Sequence, residues 1–387
     1  MGTNHGRQFH VHMFEEDIQM MKELVKLHPE KETGGNLFGL WNNDEEPVLH
    51  VVLGPAIGCT RTEVSFYQSI PYLERVGRLL TERFLLCHIG EWHSHHKLRL
   101  SEPSSGDSST VIRNFPRGAR GFILIIANIL PSGDVTLSPY LYRQGQTTYE
   151  KGLIRRLGSP CSPFRKIEVI KENIEKDEDR STTAHEHKRT PKNWGSEQPP
   201  GNESYENKAY AYMFKEDKEM IEKKLLQSKG NKMEGELLGL WTSRGMPVLH
   251  LVREPNSKSG TYNLQTRGNL AQDNPLGKYI LNPGECERPS DKDSSYMHRE
   301  YPDGGLLILV YKVDNESVAI HPHLYKKGSA DFESLEMHYL QGRNVFSQRM
   351  NDNTEKKDKE SGIAQLEVDD PNARGSPTFQ QHKQTRI

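Results

Sequence analysis

Apolar residues return at helical spacing through Phe14, Ile18, Met21, Val25 and Leu27, a stripe that predicts an amphipathic helix ahead of the Gly34–Gly35 pair. "NLFGLW" and "PVLHVVLG" then predict two strands, and Tyr72, Val76 and Leu79 mark a second helix. "RFLLCHIGEWHSH" reads as a buried strand that emerges at its histidines. A short polar helix is expected from about Ser105, followed by apolar strands at Phe122 and Val135. Helices and strands in this order predict an α/β domain with a central β-sheet flanked by helices.

The pattern occurs twice. "MFEED" at Met13 returns as "MFKED" at Met213, "GLW" at Gly39 as "GLW" at Gly239, and "PVLH" at Pro47 as "PVLH" at Pro247, all at an offset of 200. "PSSGDSS" at Pro103 pairs with "PSDKDSS" at Pro289, where the offset has dropped to 186, so the second copy is fourteen residues shorter over that interval. "SPYLY" at Ser138 matches "HPHLY" at His321. Two tandem copies are therefore expected, at 8–165 and 208–347. The stretch 166–207 is charged, proline-containing and poor in apolar residues, the composition of a flexible linker. Residues 348–387 have the same character and are expected to form a disordered tail.

Composition narrows the function classes. The 51 basic against 53 acidic residues provide no bulk field for nucleic acid or an anionic membrane, so neither is expected as a partner. The longest apolar run, "FILIIANIL" from Phe122, is too short to span a bilayer, and the amino terminus lacks the apolar segment of a signal peptide. The four cysteines are scattered without a CxxC, which fits a reducing compartment. An intracellular protein is expected, cytoplasmic with a nuclear location left open.

The chemistry concentrates in "GEWHSHHKLRLSEPSSGDSS", from Gly90 to Ser109. On an extended strand His93 and His95 point to one side and can converge on one ion, while Asp107 comes from the first turn of the next helix. Two imidazoles and one carboxylate leave a tetrahedral zinc one open position for water, the arrangement of a hydrolytic site.

Glycine and tryptophan ahead of an HxH pair, then SxxD, with Glu32 far upstream beside a Gly-Gly turn in "ETGGNLFG", resemble the JAMM motif of MPN domains, also called JAB domains. The resemblance covers about 10–142 and implies an MPN-like fold in both copies. It also implies that His93, His95 and Asp107 are ligands of one zinc ion in the first copy, and that Ser104 donates a hydrogen bond to the developing oxyanion. Glu32 would take a proton from the zinc-bound water and pass it to the leaving amine. Enzymes of this family are zinc metalloproteases, typically isopeptidases that remove ubiquitin or ubiquitin-like modifiers, so such conjugates are the expected substrates.

Eight residues separate His95 from Ser104, where the family pattern has seven, and His96 stands where a proline is common. Ligation by His96 would restore the spacing, but its neighbour two back is Ser94, which cannot replace an imidazole. The extra residue is therefore assigned to the "KLRLSE" loop, a variation in keeping with prokaryotic-type members. Other readings stand beside this one. The histidines can be a solvated cluster, Glu91 is a rival base or a partner for an imidazole, Ser104 also reads as a helix cap, and Trp92 reads as core.

In the second copy Lys232 stands in the place of Glu32, and the missing residues are expected to include the HxH segment, leaving "LNPGECERPSDKD". Ser290 and Asp293 persist, but one carboxylate cannot hold a catalytic zinc. This copy is expected to be a degenerate pseudo-domain that pairs with the first inside one chain. The alternative from another class is a scaffold whose two copies bind ubiquitin-like proteins or a multiprotein complex without catalysis.

Overall fold

A computed structural model describes residues 8–158 apart from 44 and 97, residues 161, 162 and 164, and 209–228, 232–253 and 274–340 apart from 283, 285, 286, 315, 316 and 330. The expected linker and the expected tail lie outside the described residues. The described residues of both copies belong to one compact unit.

The first copy runs β1 (His10–Met13), α1 (Glu15–Leu27), β2 (Gly34–Trp41), β3 (Pro47–Val52), β4 (Thr60–Arg61), β5 (Phe66–Tyr67), α2 (Ile70–Phe84) and β6 (Cys87–Ser94). It continues through α3 (Ser105–Arg113), β7 (Phe122–Ile129), β8 (Val135–Tyr142), β9 (Tyr149–Lys151) and β10 (Leu153–Arg156). The second runs β11 (Tyr210–Phe214), α4 (Lys215–Gln227), β12 (Met233–Trp241), β13 (Pro247–Arg253) and β14 (Pro275–Asn282). It closes with α5 (Asp291–Glu300), β15 (Gly304–Lys312), β16 (Val318–Lys326), β17 (Phe332–Ser334) and β18 (Glu336–Leu340).

The fold is α/β, built on a mixed sheet. In the first copy the strands lie side by side as β3-β2-β6-β7-β8-β9, and in the second as β13-β12-β14-β15-β16-β17. All neighbours in these rows are antiparallel except β6 with β7 and β14 with β15, which are parallel and joined through α3 and α5. The rows meet where Trp41 on β2 pairs with Trp241 on β12. The contacts there are roughly reciprocal: Trp41 Nε1 donates to Ser243 Oγ at 3.2 Å and Trp241 Nε1 donates to Asn43 Oδ1 at 2.6 Å. Arg120 adds a backbone donation to Ser243 O at 3.0 Å and sets its guanidinium 5.8 Å from the centre of the Trp241 ring.

Helices cover both faces of the first row. From α1, Ile18, Met21 and Val25 pack with Leu37, Ile123 and Ile125, while Val111 of α3 packs with Leu124 and Ile126, the alternate residues of β7. Tyr72, Leu73, Val76 and Leu80 of α2 join Phe38, Leu40 and Val51. Each fully buried side chain of this size contributes roughly 1.5–3 kcal/mol. The expected helical stripes are off by one residue at their ends: Leu27 is 64% exposed, and Leu80 rather than Leu79 faces the core. No helix among the described residues is long and apolar enough to cross a membrane.

Candidate metal centre

Strand β6 presents its two sides to different surroundings. Trp92 is buried and donates Nε1–H to Leu53 O at 2.9 Å, so it belongs to the core. Ser94 is also buried; its Oγ accepts from Thr33 N at 3.0 Å and its N donates to Thr33 O at 2.9 Å. These two bonds tie the segment that carries Glu32 to the strand that carries the histidines. The approach is close because Gly34 sits opposite His93, where a Cβ would overlap Trp92 O and crowd His93 Cβ at 2.9 Å. The Gly-Gly pair, expected as a turn, instead opens β2, and it is a steric requirement of placing Glu32 beside the imidazoles.

The other three expected site residues arrive at the same point. His93 Nε2 lies 2.9 Å from His95 Nε2 and 3.3 Å from Asp107 Oδ1, and His95 Nε2 lies 3.2 Å from Asp107 Oδ2. Asp107 is held there by the cap of α3: Ser104 N and Ser104 Oγ both donate to Asp107 Oδ2, at 2.8 and 2.6 Å, and Asp107 N donates to Ser104 Oγ at 3.1 Å. Ser104 therefore acts as the helix cap, with its hydroxyl proton directed at Asp107. Donor atoms of Glu32, His93 and His95 fall within 4.8 Å of one another.

Burial dominates the electrostatics, and local partners decide each outcome. Glu32 is 2% exposed and its Oε1 has no hydrogen-bond partner. Burial pushes its pKa up to about 7, with the His95 charge opposing and Asp107 adding. Burial likewise raises Glu91 to about 7, helped by Asp107. Burial would also raise Asp107, but hydrogen bonds from His93 and His95 outweigh it and hold the carboxyl well below the usual range. Burial lowers His95, yet the hydrogen bond and charge of Asp107, together with Glu32, leave it raised.

The cluster fits a metal ion on two counts. Around a tetrahedral ion with bonds of about 2.0–2.1 Å, neighbouring ligand atoms sit roughly 3.3 Å apart, close to the spacings of the His93, His95 and Asp107 donors. The charge also fits, because Glu32, Glu91 and Asp107 place three carboxylates around two imidazoles, and a divalent cation offsets most of that repulsion.

A pH dependence of the metal-free protein follows from the same groups. Glu32 and Glu91 have folded pKa values raised from 4.5 to about 7, so between those values the folded chain holds protons that the unfolded chain has released. Their contribution to stability falls as pH rises through that window. Metal-stripped protein with Glu32→Gln and Glu91→Gln should lose less melting temperature between about pH 5 and 7 than stripped wild type. Parallel melting curves of the two would sink the assignment.

The sequence reading gave no role to residues 60–67. Strands β4 and β5 form a small hairpin against the base: Glu32 N donates to Thr62 O at 2.7 Å and Arg61 Nε to Thr33 Oγ1 at 3.4 Å. The loop after His95 is pinned by Asn128 Nδ2 to Leu100 O at 2.8 Å and by Tyr140 OH to Ser101 O at 2.6 Å.

One expectation for the second copy is corrected. The strand that should carry an HxH pair is present as β14, in the same register as β6: Gly235 lies opposite Tyr279 as Gly35 lies opposite Trp92, and Leu237 opposite Gly277 as Leu37 opposite Gly90. The histidine positions are therefore filled by Ile280 and Asn282, and thirteen of the fourteen missing residues fall before the strand, the last between it and Ser290. Cys286 lies outside the described residues, and His298 Nδ1 is 2.8 Å from Tyr325 OH.

No family model matches the chain. No curated protein matches it either. Among solved structures, the solution structure of a protein from Desulfitobacterium hafniense is similar at 15% identity, with a TM-score of 0.30, covering 38% of this chain and 92% of that one. The solution structure of a protein from Salinibacter ruber strain DSM 13855 is similar at 16% identity, with a TM-score of 0.28 and the same coverage.

Proposed function

We propose that the chain is a zinc-dependent metallopeptidase of the JAMM type that hydrolyses isopeptide bonds to ubiquitin or a ubiquitin-like modifier, with a catalytic first copy and a non-catalytic second one. The observation that carries this reading is the convergence of His93 from β6 and His95 just beyond its end with Asp107 from α3, beside a buried Glu32 that has an unpartnered oxygen. The motif's resemblance supports the substrate class.

In this reading His93, His95 and Asp107 hold the ion. Zinc, when bound, supplies a Lewis acid that polarises the scissile carbonyl and makes water more acidic. Glu32 accepts a proton from the attacking water and delivers it to the leaving amine, a task suited to a carboxylate that is shielded from solvent. Ser104 fixes Asp107 through both its backbone and its hydroxyl. The two hydrogen bonds between Thr33 and Ser94, one to the serine hydroxyl and one between backbones, keep base and ligands in one frame.

The test is elemental analysis of the purified chain together with a cleavage panel of ubiquitin and ubiquitin-like conjugates. One zinc per chain with cleavage of at least one conjugate is expected. Zinc without cleavage of any conjugate would move the reading to a scaffold, and absence of zinc would reject the metal centre.

A further inference from the structure

The second copy keeps the architecture of the metal centre and fills it differently. Matching registers place Lys278 where Glu91 stands and Ile280 where His93 stands, and the parallel pairing of Gly277 with Leu306 repeats that of Gly90 with Ile123. The cap of α5 is reproduced bond for bond, with Ser290 N and Oγ donating to Asp293 Oδ2 at 3.0 and 2.6 Å and Asp293 N donating to Ser290 Oγ at 3.4 Å. In the middle lies the Lys278 ammonium, its side chain 8% exposed. It is 3.7 Å from Asp293 Oδ1, 3.7 Å from Glu234 Oε2 and 3.8 Å from the centre of the Tyr296 ring. Lys232, in the place of Glu32, pairs with Glu234 at 3.1 Å.

The charges of the two sites differ in a way that assigns Lys278 a role. The first site sets three carboxylates around two imidazoles and lacks a compensating cation within that set. In the second, the Lys278 and Lys232 ammonium groups stand among Asp293, Glu234 and, opposite Lys278 on β12, Glu236, so the cluster carries cations of its own. An ammonium this far from water is retained only where carboxylates and a ring face replace its hydration.

We propose that Lys278 is a built-in substitute for the metal cation: it holds Asp293, and with it the start of α5, against β14, so the second copy keeps the shape of the site without metal. The second copy is then a latent site for zinc or a similar divalent ion. It is blocked by this ammonium and by the two missing imidazoles, while β14 repeats the register of β6 and α5 the cap of α3. This inference stands apart from the reading of the first copy, because it is tested in a chain whose first site has been removed.

Two measurements on the full chain decide it. In a His93→Ala/His95→Ala background, Lys278→Glu, Ile280→His and Asn282→His together should confer binding of one zinc, read by equilibrium dialysis against zinc alone, while the background binds none. In the wild-type background, Lys278→Met and Asp293→Asn should each lower the melting temperature, and the double variant should lose about 3 °C less than the two losses added, since the pair is lost only once. If the triple variant does not fold, the second measurement decides. A folded triple variant that takes up no zinc, or melting losses that simply add, would overturn the proposal.

Discussion

Glu32→Gln should leave about one zinc per chain and lower the rate of conjugate cleavage by about 10²–10⁴, the range over which a positioned acid–base group acts. The substitution keeps the volume and removes the proton acceptor. Little else changes, because Glu32 is fixed through its backbone by Thr62 O at 2.7 Å rather than through its carboxylate, whose Oε1 has no partner to lose. Zinc content by elemental analysis and steady-state cleavage on one preparation check it. Undiminished hydrolysis would reject Glu32 as the base. Loss of zinc would instead make Glu32 a ligand, a role its distance from the imidazoles allows. The same substitution should make the metal-stripped chain more stable near neutral pH, so the group proposed as the base is one that the metal-stripped chain holds at a cost.

What could be read in advance, and what could not, follows from how far each signal reaches along the chain. The stripe of Ile18, Met21 and Val25 is local, and these residues are buried on α1 as the period requires. Its last member fails because Leu27 falls where the helix ends and no wall remains to cover it. The run "RFLLC" looked like the entry to a strand. The helix instead continues to Phe84, and Leu85 turns the chain with φ 55° before β6 begins at Cys87.

His93, His95, Asp107 and Glu32 were legible because their spacing is itself the message of the motif. Lys278 was not, because the likeness of the two strands is confined to apolar, glycine and aromatic positions, Ile89, Gly90 and Trp92 against Leu276, Gly277 and Tyr279, and the positions that carry the motif, Glu91 and His93, are replaced by Lys278 and Ile280. Only the pairing of Gly277 opposite Leu237, repeating Gly90 opposite Leu37, shows that the two strands are one element. The hairpin at 60–67 escaped for another reason: two strands of two residues each are too short to show a period.

His95→Ala should lose zinc and cleavage together, with zinc affinity falling by more than the 10–100-fold, roughly, that loss of a partner outside the ligand set costs. The substitution removes one imidazole nitrogen and also frees Asp107 from one of the two imidazoles beside it, since His95 meets Oδ2 at 3.2 Å and His93 meets Oδ1 at 3.3 Å. One imidazole and one carboxylate would remain, too few for a zinc site. His96→Ala is the control that gives the result its meaning. Ligation by His96 would restore a seven-residue interval to Ser104, but backbone pairing decides against it: His95 N donates to Ala127 O at 2.9 Å and so extends β6 by one residue, which keeps His95 on the side of the strand that His93 occupies. The extra residue is then taken up beyond His96, in the loop pinned by Asn128 and Tyr140. Zinc retained in His95→Ala and lost in His96→Ala would transfer the ligand role to His96 and require that loop to refold around the ion.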